Sequence, residues 1–186
     1  MTYENGKKFI RYAFLALLAL QFIFFINNIC GILFGRTFLP QITNLLSVLL
    51  YLFASIGFFI LWQTKKDILD AAVAGALILS LIIDFFWDRL LYRIDNYKTY
   101  TIVSLLFTLI ACAYLAIWAF KMFKAGNVFA AGLLGAAFIY RSLNSIFYGV
   151  VVVKIFNFGT LGLFIYYLGF LVAAAIPAFV AVTDKE

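Results

Sequence analysis

The sequence predicts an all-α, polytopic integral membrane protein, organised as a single six-helix transmembrane domain over residues 1–186. Three observations support this fold class. Of the 186 residues, 67% are hydrophobic and only 12% are charged, whereas charged residues make up about a quarter of an ordinary soluble domain. The mean hydropathy is +1.09. The chain also contains successive apolar runs, each long enough to cross about 30 Å of hydrocarbon as a helix.

Each predicted helix is an apolar run that ends at polar or turn-forming residues. Runs such as AFLALLALQFIFFI lack the alternation of apolar and polar residues that is typical of transmembrane strands. The breaks between runs contain turn-forming residues, as in GRTFLPQ, QTKKD, KAGN and FNFGT. The six predicted spans lie at about 9–34, 41–62, 68–91, 99–120, 127–152 and 160–182.

Three helical hairpins, formed by spans 1–2, 3–4 and 5–6, are predicted to be repeats of one unit. When LLYLFASIGFFILW is aligned with LLFTLIACAYLAIW, Trp62 matches Trp118 and Lys65 falls on Lys121. A second interpretation stays open, because spans rich in leucine and phenylalanine also match by chance. If the repeat is real, the hairpins run in the same direction around a pseudo-threefold axis normal to the membrane.

The basic residues predict how the chain is oriented in the bilayer. With both termini in the cytoplasm, more lysine and arginine residues lie on the inner side than on the outer side, as the positive-inside rule requires. We therefore expect a multi-pass protein of the plasma (inner) membrane, and the net charge of +6 does not indicate a nucleic-acid partner. The inner residues are Lys7, Lys8, Arg11, Lys65, Lys66, Lys121, Lys124 and Lys185, and the outer residues are Arg36, Arg89, Arg93, Lys98 and Lys154.

Charged residues inside the spans carry the functional signal, because each costs about 2.5–3.5 kcal/mol near the bilayer centre. Arg141 in the fifth span and Asp84 in the third lie at similar predicted depths, so their side chains can pair between the helices. Asp84 and Asp88 are one helical turn apart. Two carboxylates on one face disfavour double ionisation unless a cation, a shared proton or an arginine lies between them.

Helical spacing places further polar residues near these charges. An outward-facing polar pocket is the functional interpretation of this grouping. The alternative is structural, since salt bridges and interhelical hydrogen bonds also hold helices together in membranes. The predicted solute-binding residues are Arg141, Asp84, Asn144, Asn28, Asn27, Asp88 and Tyr148.

Three functions remain open at this point. The first is binding or transport of a small polar or charged solute, alone or as the membrane subunit of a larger transporter, since the chain has no G-x-x-x-x-G-K-[ST] nucleotide-binding motif. The second is a structural or accessory subunit that contacts a partner membrane protein or another copy of the chain. The third is a lipid-modifying enzyme with Asp84 and Asp88 as acid and base or as ligands of a divalent cation, although no Ser or Cys nucleophile lies beside a base.

The composition also bears on cofactors. The chain contains no histidine and two cysteines, Cys30 and Cys112, at different predicted depths. Haem held by histidine and metal sites rich in cysteine therefore lack their ligands. We expect no cofactor and no bound metal.

Overall fold

A computed structural model describes the chain over residues 2–34, 42–91, 94, 97–146 and 159–184. All regular secondary structure in these ranges is helical, which confirms that this part of the chain is all-α. The helices in these ranges are α1 (Tyr3–Phe34), α2 (Ile42–Lys65), α3 (Ile68–Leu91), α4 (Tyr97–Ala111), α5 (Ala113–Lys124), α6 (Val128–Ile146) and α7 (Gly159–Thr183).

Two of these helices are long and apolar enough to cross a membrane, within Tyr3–Gly31 and Leu46–Lys65. A third span is added when α4 and α5 are counted together. Large apolar side chains are exposed on the outside of α1, including Phe22 at 52%, Ile23 at 48% and Ile26 at 46%. Soluble monomers rarely expose large contiguous apolar patches, so this surface is consistent with a membrane location.

The helix α1 begins earlier than the predicted span. Its first residue is Tyr3, whereas the apolar run was predicted to begin at residue 9. The additional turn and a half contains Lys7 and Lys8. Basic residues are tolerated in this part of the helix, because the long lysine side chains can place their charges at the membrane surface.

The predicted fourth span is broken into α4 and α5, which meet at Cys112 with a bend of 42°. At the bend, the backbone N–H of Leu115 donates to the carbonyl oxygen of Cys112 at 3.0 Å, and this three-residue spacing tightens the helix. The Thr108 hydroxyl donates to the carbonyl oxygen of Ser104 at 2.9 Å, a bond that also bends helices. The prediction of one continuous helix is therefore wrong at this point.

The helices pack in a closed ring. α1 packs against α2 and α7, α3 packs against α2, α4 and α5, and α6 packs against α4, α5 and α7. The order around the ring therefore follows the order along the chain.

An aromatic core fills the space between α1, α2 and α5. The ring centroid of Trp118 lies 5.3 Å from that of Phe14 and 5.1 Å from that of Phe58. Tyr114 stacks on Phe14 at 6.4 Å and meets Tyr51 edge-on at 6.0 Å. Offset and edge-on pairs of this kind add about 0.5–1.5 kcal/mol each to the burial of the rings. The core thereby connects helices on different sides of the ring.

The helices α1 and α2 cross in close contact at Gly6 and Gly57. A Cβ atom added to Gly57 would lie 2.6 Å from Cγ1 of Ile10 and 2.9 Å from the carbonyl oxygen of Gly6. A Cβ atom added to Gly6 would lie 3.0 Å from the carbonyl oxygen of Gly57. The absence of a side chain at both positions is what lets the two backbones approach so closely.

We expect Gly57→Ala to destabilise the protein by about 1–3 kcal/mol, because α1 and α2 must separate to admit the methyl group. The matched control is Gly132→Ala in α6, where an added Cβ meets no atom within 4 Å. Both substitutions raise the intrinsic helix propensity by the same amount, so they differ only in the contact that the methyl group makes. Thermal unfolding of the purified protein in detergent compares the two variants. Equal melting temperatures would show that the crossing tolerates a wider separation.

Candidate solute-binding site

Arg141 is the single charged residue of α6, in a helix otherwise built from apolar and small polar residues. It lies about 13 residues past Val128, and therefore roughly 20 Å along the helix axis. The guanidinium carbon lies 3.5 Å from the centroid of the Phe170 ring on α7, which is a cation–π contact. One of the guanidinium nitrogens, Nη1, is buried and has no hydrogen-bond partner among the described residues.

Asn144 lies one turn after Arg141 and is buried, with 4% of its surface exposed. Its side-chain amide occupies the space that a Cβ atom at Gly169 would need. Gly169 is thus the position on α7 that admits this amide. Because Gly169 and Phe170 are neighbours in the chain, Arg141 and Asn144 contact the same short segment of α7.

Arg141 also lies next to the aromatic core. Its charge is close enough to the phenol of Tyr114 for the two groups to interact electrostatically. Tyr114 is 4% exposed and contacts both Phe14 and Tyr51. The guanidinium of Arg141 and the side-chain amide of Asn144, which contact the same segment of α7, can hydrogen-bond the oxygen atoms of an anion.

Two more of the predicted residues lie on α1. Asn27 is buried, with 8% of its surface exposed, and also has an interaction partner. Asn28 is half-buried, and its Nδ2 donates to the carbonyl oxygen of Phe24 at 2.9 Å within the same helix. One amide hydrogen of Asn28 is therefore already committed to the backbone of α1.

The remaining predicted residues cannot be placed relative to Arg141. Asp84 and Asp88 belong to α3, but the structure describes only their backbone and not their side chains. Tyr148 lies outside the described residues altogether. The structure therefore brings Arg141 and Asn144 together, and the pairing of Asp84 with Arg141 stays a prediction.

Several buried hydroxyl groups in the bundle have structural partners. The Ser55 hydroxyl of α2 donates to the carbonyl oxygen of Ala74 on α3 at 3.0 Å. The Ser142 hydroxyl donates to the carbonyl oxygen of Phe138 at 2.8 Å within α6. Such bonds join or cap helices in membranes. These hydroxyl groups thus differ from Nη1 of Arg141, which has no such acceptor among the described residues.

A second charged cluster lies near the start of α1, where sequence reasoning placed no site. Asp70 in the first turn of α3 forms an ion pair with Lys121 in the last turn of α5. The Asp70 side chain is 1% exposed and that of Lys121 is 18% exposed. The second carboxylate oxygen of Asp70, Oδ2, is buried without a hydrogen-bond partner in the described ranges. The pair joins α3 to α5.

The Asp70–Lys121 pair was missed because both residues stand near the ends of apolar runs, where a charge is normally interpreted as a membrane boundary. Lys121 was assigned to an inner loop, but α5 continues to Lys124. Aromatic contacts hold other lysines at the same end of the bundle. The Nζ atoms of Lys65 and Lys7 lie 4.1 Å and 5.0 Å from the centroid of the Tyr3 ring.

The described part of the chain contains a groove of about 420 Å³ between α1 and α2. A much smaller cavity is lined by Lys7 and Trp118 among others. Neither of these two cavities is lined by Arg141 or Asn144. Neither cavity therefore corresponds to the predicted outward-facing pocket, which stays a prediction.

No protein-family model, curated protein or solved structure matches the chain. Within the described ranges, no three acidic or cysteine side chains are grouped as they would be in a metal site. A functional proposal for this chain therefore depends on the chemistry of its own residues.

Lys121→Met is expected to destabilise the protein by about 3–5 kcal/mol, because it leaves the Asp70 carboxylate buried without a counter-charge. Adding Asp70→Asn to the same chain should recover much of that loss, since the unpaired charge is removed. Thermal unfolding of the single and double variants in detergent gives the coupling energy. Lys124→Met, at an exposed lysine of the same helix end, is the control. Additive effects of the two substitutions would show that the pair does not contribute to stability.

Proposed function

We propose that this chain binds a small anionic or polar solute at Arg141, as a transporter or as the membrane subunit of one. The observation that carries this proposal is the buried Nη1 atom of Arg141, which has no acceptor among the described residues. Leaving a buried donor unsatisfied costs about 1–3 kcal/mol, and more when the group is charged. A carboxylate or phosphate group supplies oxygen acceptors in the geometry that a guanidinium prefers.

The neighbouring residues support an oxyanion as the solute group. The guanidinium carbon lies 3.5 Å from the centroid of the Phe170 ring, so the ring covers one side of the cation. Nη1, which has no acceptor among the described residues, is the donor proposed to bind the carboxylate or phosphate oxygen. In this proposal Asn144 orients the solute, Asn27, Asn28, Asp88 and Tyr148 complete its surroundings, and Asp84 couples a proton or cation.

The proposal includes six membrane spans, formed by α1, α2, α3, the bent pair α4–α5, α6 and α7. The closed ring of packed helices supports this arrangement, because every helix in it has two neighbours in chain order. Both termini are proposed to be cytoplasmic, in the plasma membrane. Lys65, Lys66, Lys121 and Lys124 lie at the ends of α2 and α5, as this orientation requires. Arg141 then lies toward the outer side, and the three hairpins α1–α2, α3–α5 and α6–α7 are proposed as repeats.

A structural or accessory subunit is the second candidate, and the outer face of α6 favours it. Cβ atoms added to Gly132 and Gly135 would meet no atom within 4 Å. Small residues on an uncovered helix face allow a second helix to approach closely. Under this alternative a partner membrane protein, or another copy of the chain, supplies the acceptor for Arg141.

The oxyanion proposal is tested by thermal unfolding of purified protein with acetate, succinate, inorganic phosphate or chloride at equal ionic strength. We expect at least one oxyanion to raise the melting temperature as its concentration increases. A ligand that binds only the folded protein stabilises it by about 2.7 kcal/mol at one hundred times its Kd. Arg141→Gln should abolish the shift. Arg141→Lys should weaken it, because lysine lacks the planar fork of donors.

Arg11→Gln is the matched control for these variants. Arg11 is half-buried near the start of α1, and its Nε donates to the carbonyl oxygen of Ala181 at 3.5 Å. This variant should retain the shift produced by the oxyanion. A folded Arg141→Gln protein with an unchanged shift would exclude Arg141 as the binding group. Release of a co-purified membrane protein by Arg141→Gln, with no oxyanion effect on the wild type, would favour the accessory subunit.

A further inference from the structure

The groove between α1 and α2 lies on the outside of the bundle and has a volume of about 420 Å³. Small residues create it. Ala13 is 3% exposed and forms the floor, while Ala16 is exposed at the side. Phe9 of α1 stacks with Phe53 of α2, with centroids 6.2 Å apart and an interplanar angle of 19°. The volume falls within the range of about 300–1,000 Å³ that is usual for small-molecule sites.

The polar residues of the groove lie toward the start of α1. Asn5 and Lys8 line this end, Tyr12 follows one turn later, and the lining beyond it is apolar. Lys8 is exposed, and no described residue forms an ion pair or hydrogen bond with its ammonium group. The groove is therefore cationic at the end near the start of α1, called its mouth below, and apolar along the rest of its length.

The surrounding charges reinforce the cationic character of the mouth. Lys7, Lys8 and Arg11 are three basic residues in the first turns of α1, against one acidic residue, Glu4. Lys7 and Arg11 are directed to other contacts, with the ring of Tyr3 and with the carbonyl oxygen of Ala181. Lys8 is thus the basic side chain that remains available to a ligand in the groove.

The groove extends from the basic start of α1 into its apolar run. From Asn5 to Ala16 it follows α1 for about eleven residues, which is roughly 16 Å along the helix axis. Because the predicted apolar run begins at residue 9, about 10 Å of this length faces hydrocarbon and the rest lies at the level of the headgroups. A ligand that fills the groove would therefore extend from the membrane surface toward the midplane.

We propose that this groove binds one anionic phospholipid from the leaflet that surrounds the start of α1. One acyl chain lies against Ala13 and Ala16, beside the stacked rings of Phe9 and Phe53. The headgroup phosphate accepts hydrogen bonds from Lys8 and from the side-chain amide of Asn5. The proposal depends on the membrane location of α1, and it is independent of solute binding at Arg141.

The test uses the full chain, purified in detergent and depleted of lipid, then mixed with equal amounts of phosphatidylglycerol and phosphatidylcholine that have the same acyl chains. Native mass spectrometry measures which lipid stays bound. We expect phosphatidylglycerol to be retained preferentially. Lys8→Gln should lower its retention about five-fold, the usual contribution of one lysine near an anionic membrane surface. Ala16→Trp, which fills the groove, should abolish binding of both lipids.

Two matched substitutions serve as controls. Lys124→Gln removes another exposed lysine at the same end of the bundle, and Ala136→Trp adds the same bulk at an exposed alanine of α6. Both variants should retain phosphatidylglycerol as the wild type does. Ala16→Leu replaces Ala16→Trp if thermal unfolding shows that the tryptophan prevents folding. Lys8→Gln should also keep the oxyanion-dependent melting shift, which separates this proposal from the one at Arg141.

Three results would overturn the proposal. Equal retention of the two lipids by the wild type would exclude selection by charge. An unchanged phosphatidylglycerol adduct in Ala16→Trp would place the lipid elsewhere on the protein. A dimer that disappears in Ala16→Trp, with no lipid adduct in the wild type, would assign the groove to a second copy of the chain.

Discussion

The packing of α3 against α5 depends on the ion pair between Asp70 and Lys121. A charge buried among apolar helices is tolerated only when a partner compensates for the lost hydration, and removal of one partner is far more costly than removal of both. Lys121 and the aromatic residue Trp118 are one turn apart on α5, whose direction is set by the bend at Cys112. The ion pair and the aromatic core therefore share α5 and lie one helical turn apart on it.

Arg141 is subject to the same requirement and meets it only in part. Its charge rests against the Phe170 ring, while Nη1 has no acceptor in the described part of the bundle. The Asp70 charge is thus compensated by Lys121, whereas Nη1 of Arg141 has no acceptor among the described residues. This difference is the basis on which we propose a structural role for Asp70 and Lys121 and a binding role for Arg141. The shared face of Arg141 and Asn144 could be predicted from their spacing, whereas the contact with Phe170 depends on the register of α7, which no local pattern encodes.

The helical class and most helix positions could be predicted because apolar runs directly report where a helix can lie in hydrocarbon. The third span was predicted at about 68–91, and α3 covers Ile68–Leu91. The bend at Cys112 could not be predicted in this way, because it arises from hydrogen bonds rather than from hydropathy. The alignment of the predicted hairpin repeats does not predict which of the matched residues are buried. Trp118 is buried whereas the aligned Trp62 is half-buried, so matched residues have different surroundings.

The crossing at Gly6 and Gly57 also bears on biosynthesis. Both glycines belong to α1 and α2, which leave the ribosome before the other helices, and N-terminal units generally fold first during translation. The two helices can therefore pack against each other while the rest of the polypeptide is still being synthesised. This early hairpin supplies the surfaces against which α3 and α7 pack. The helix α7, which is synthesised after α1 to α6, then closes the ring by packing on α1.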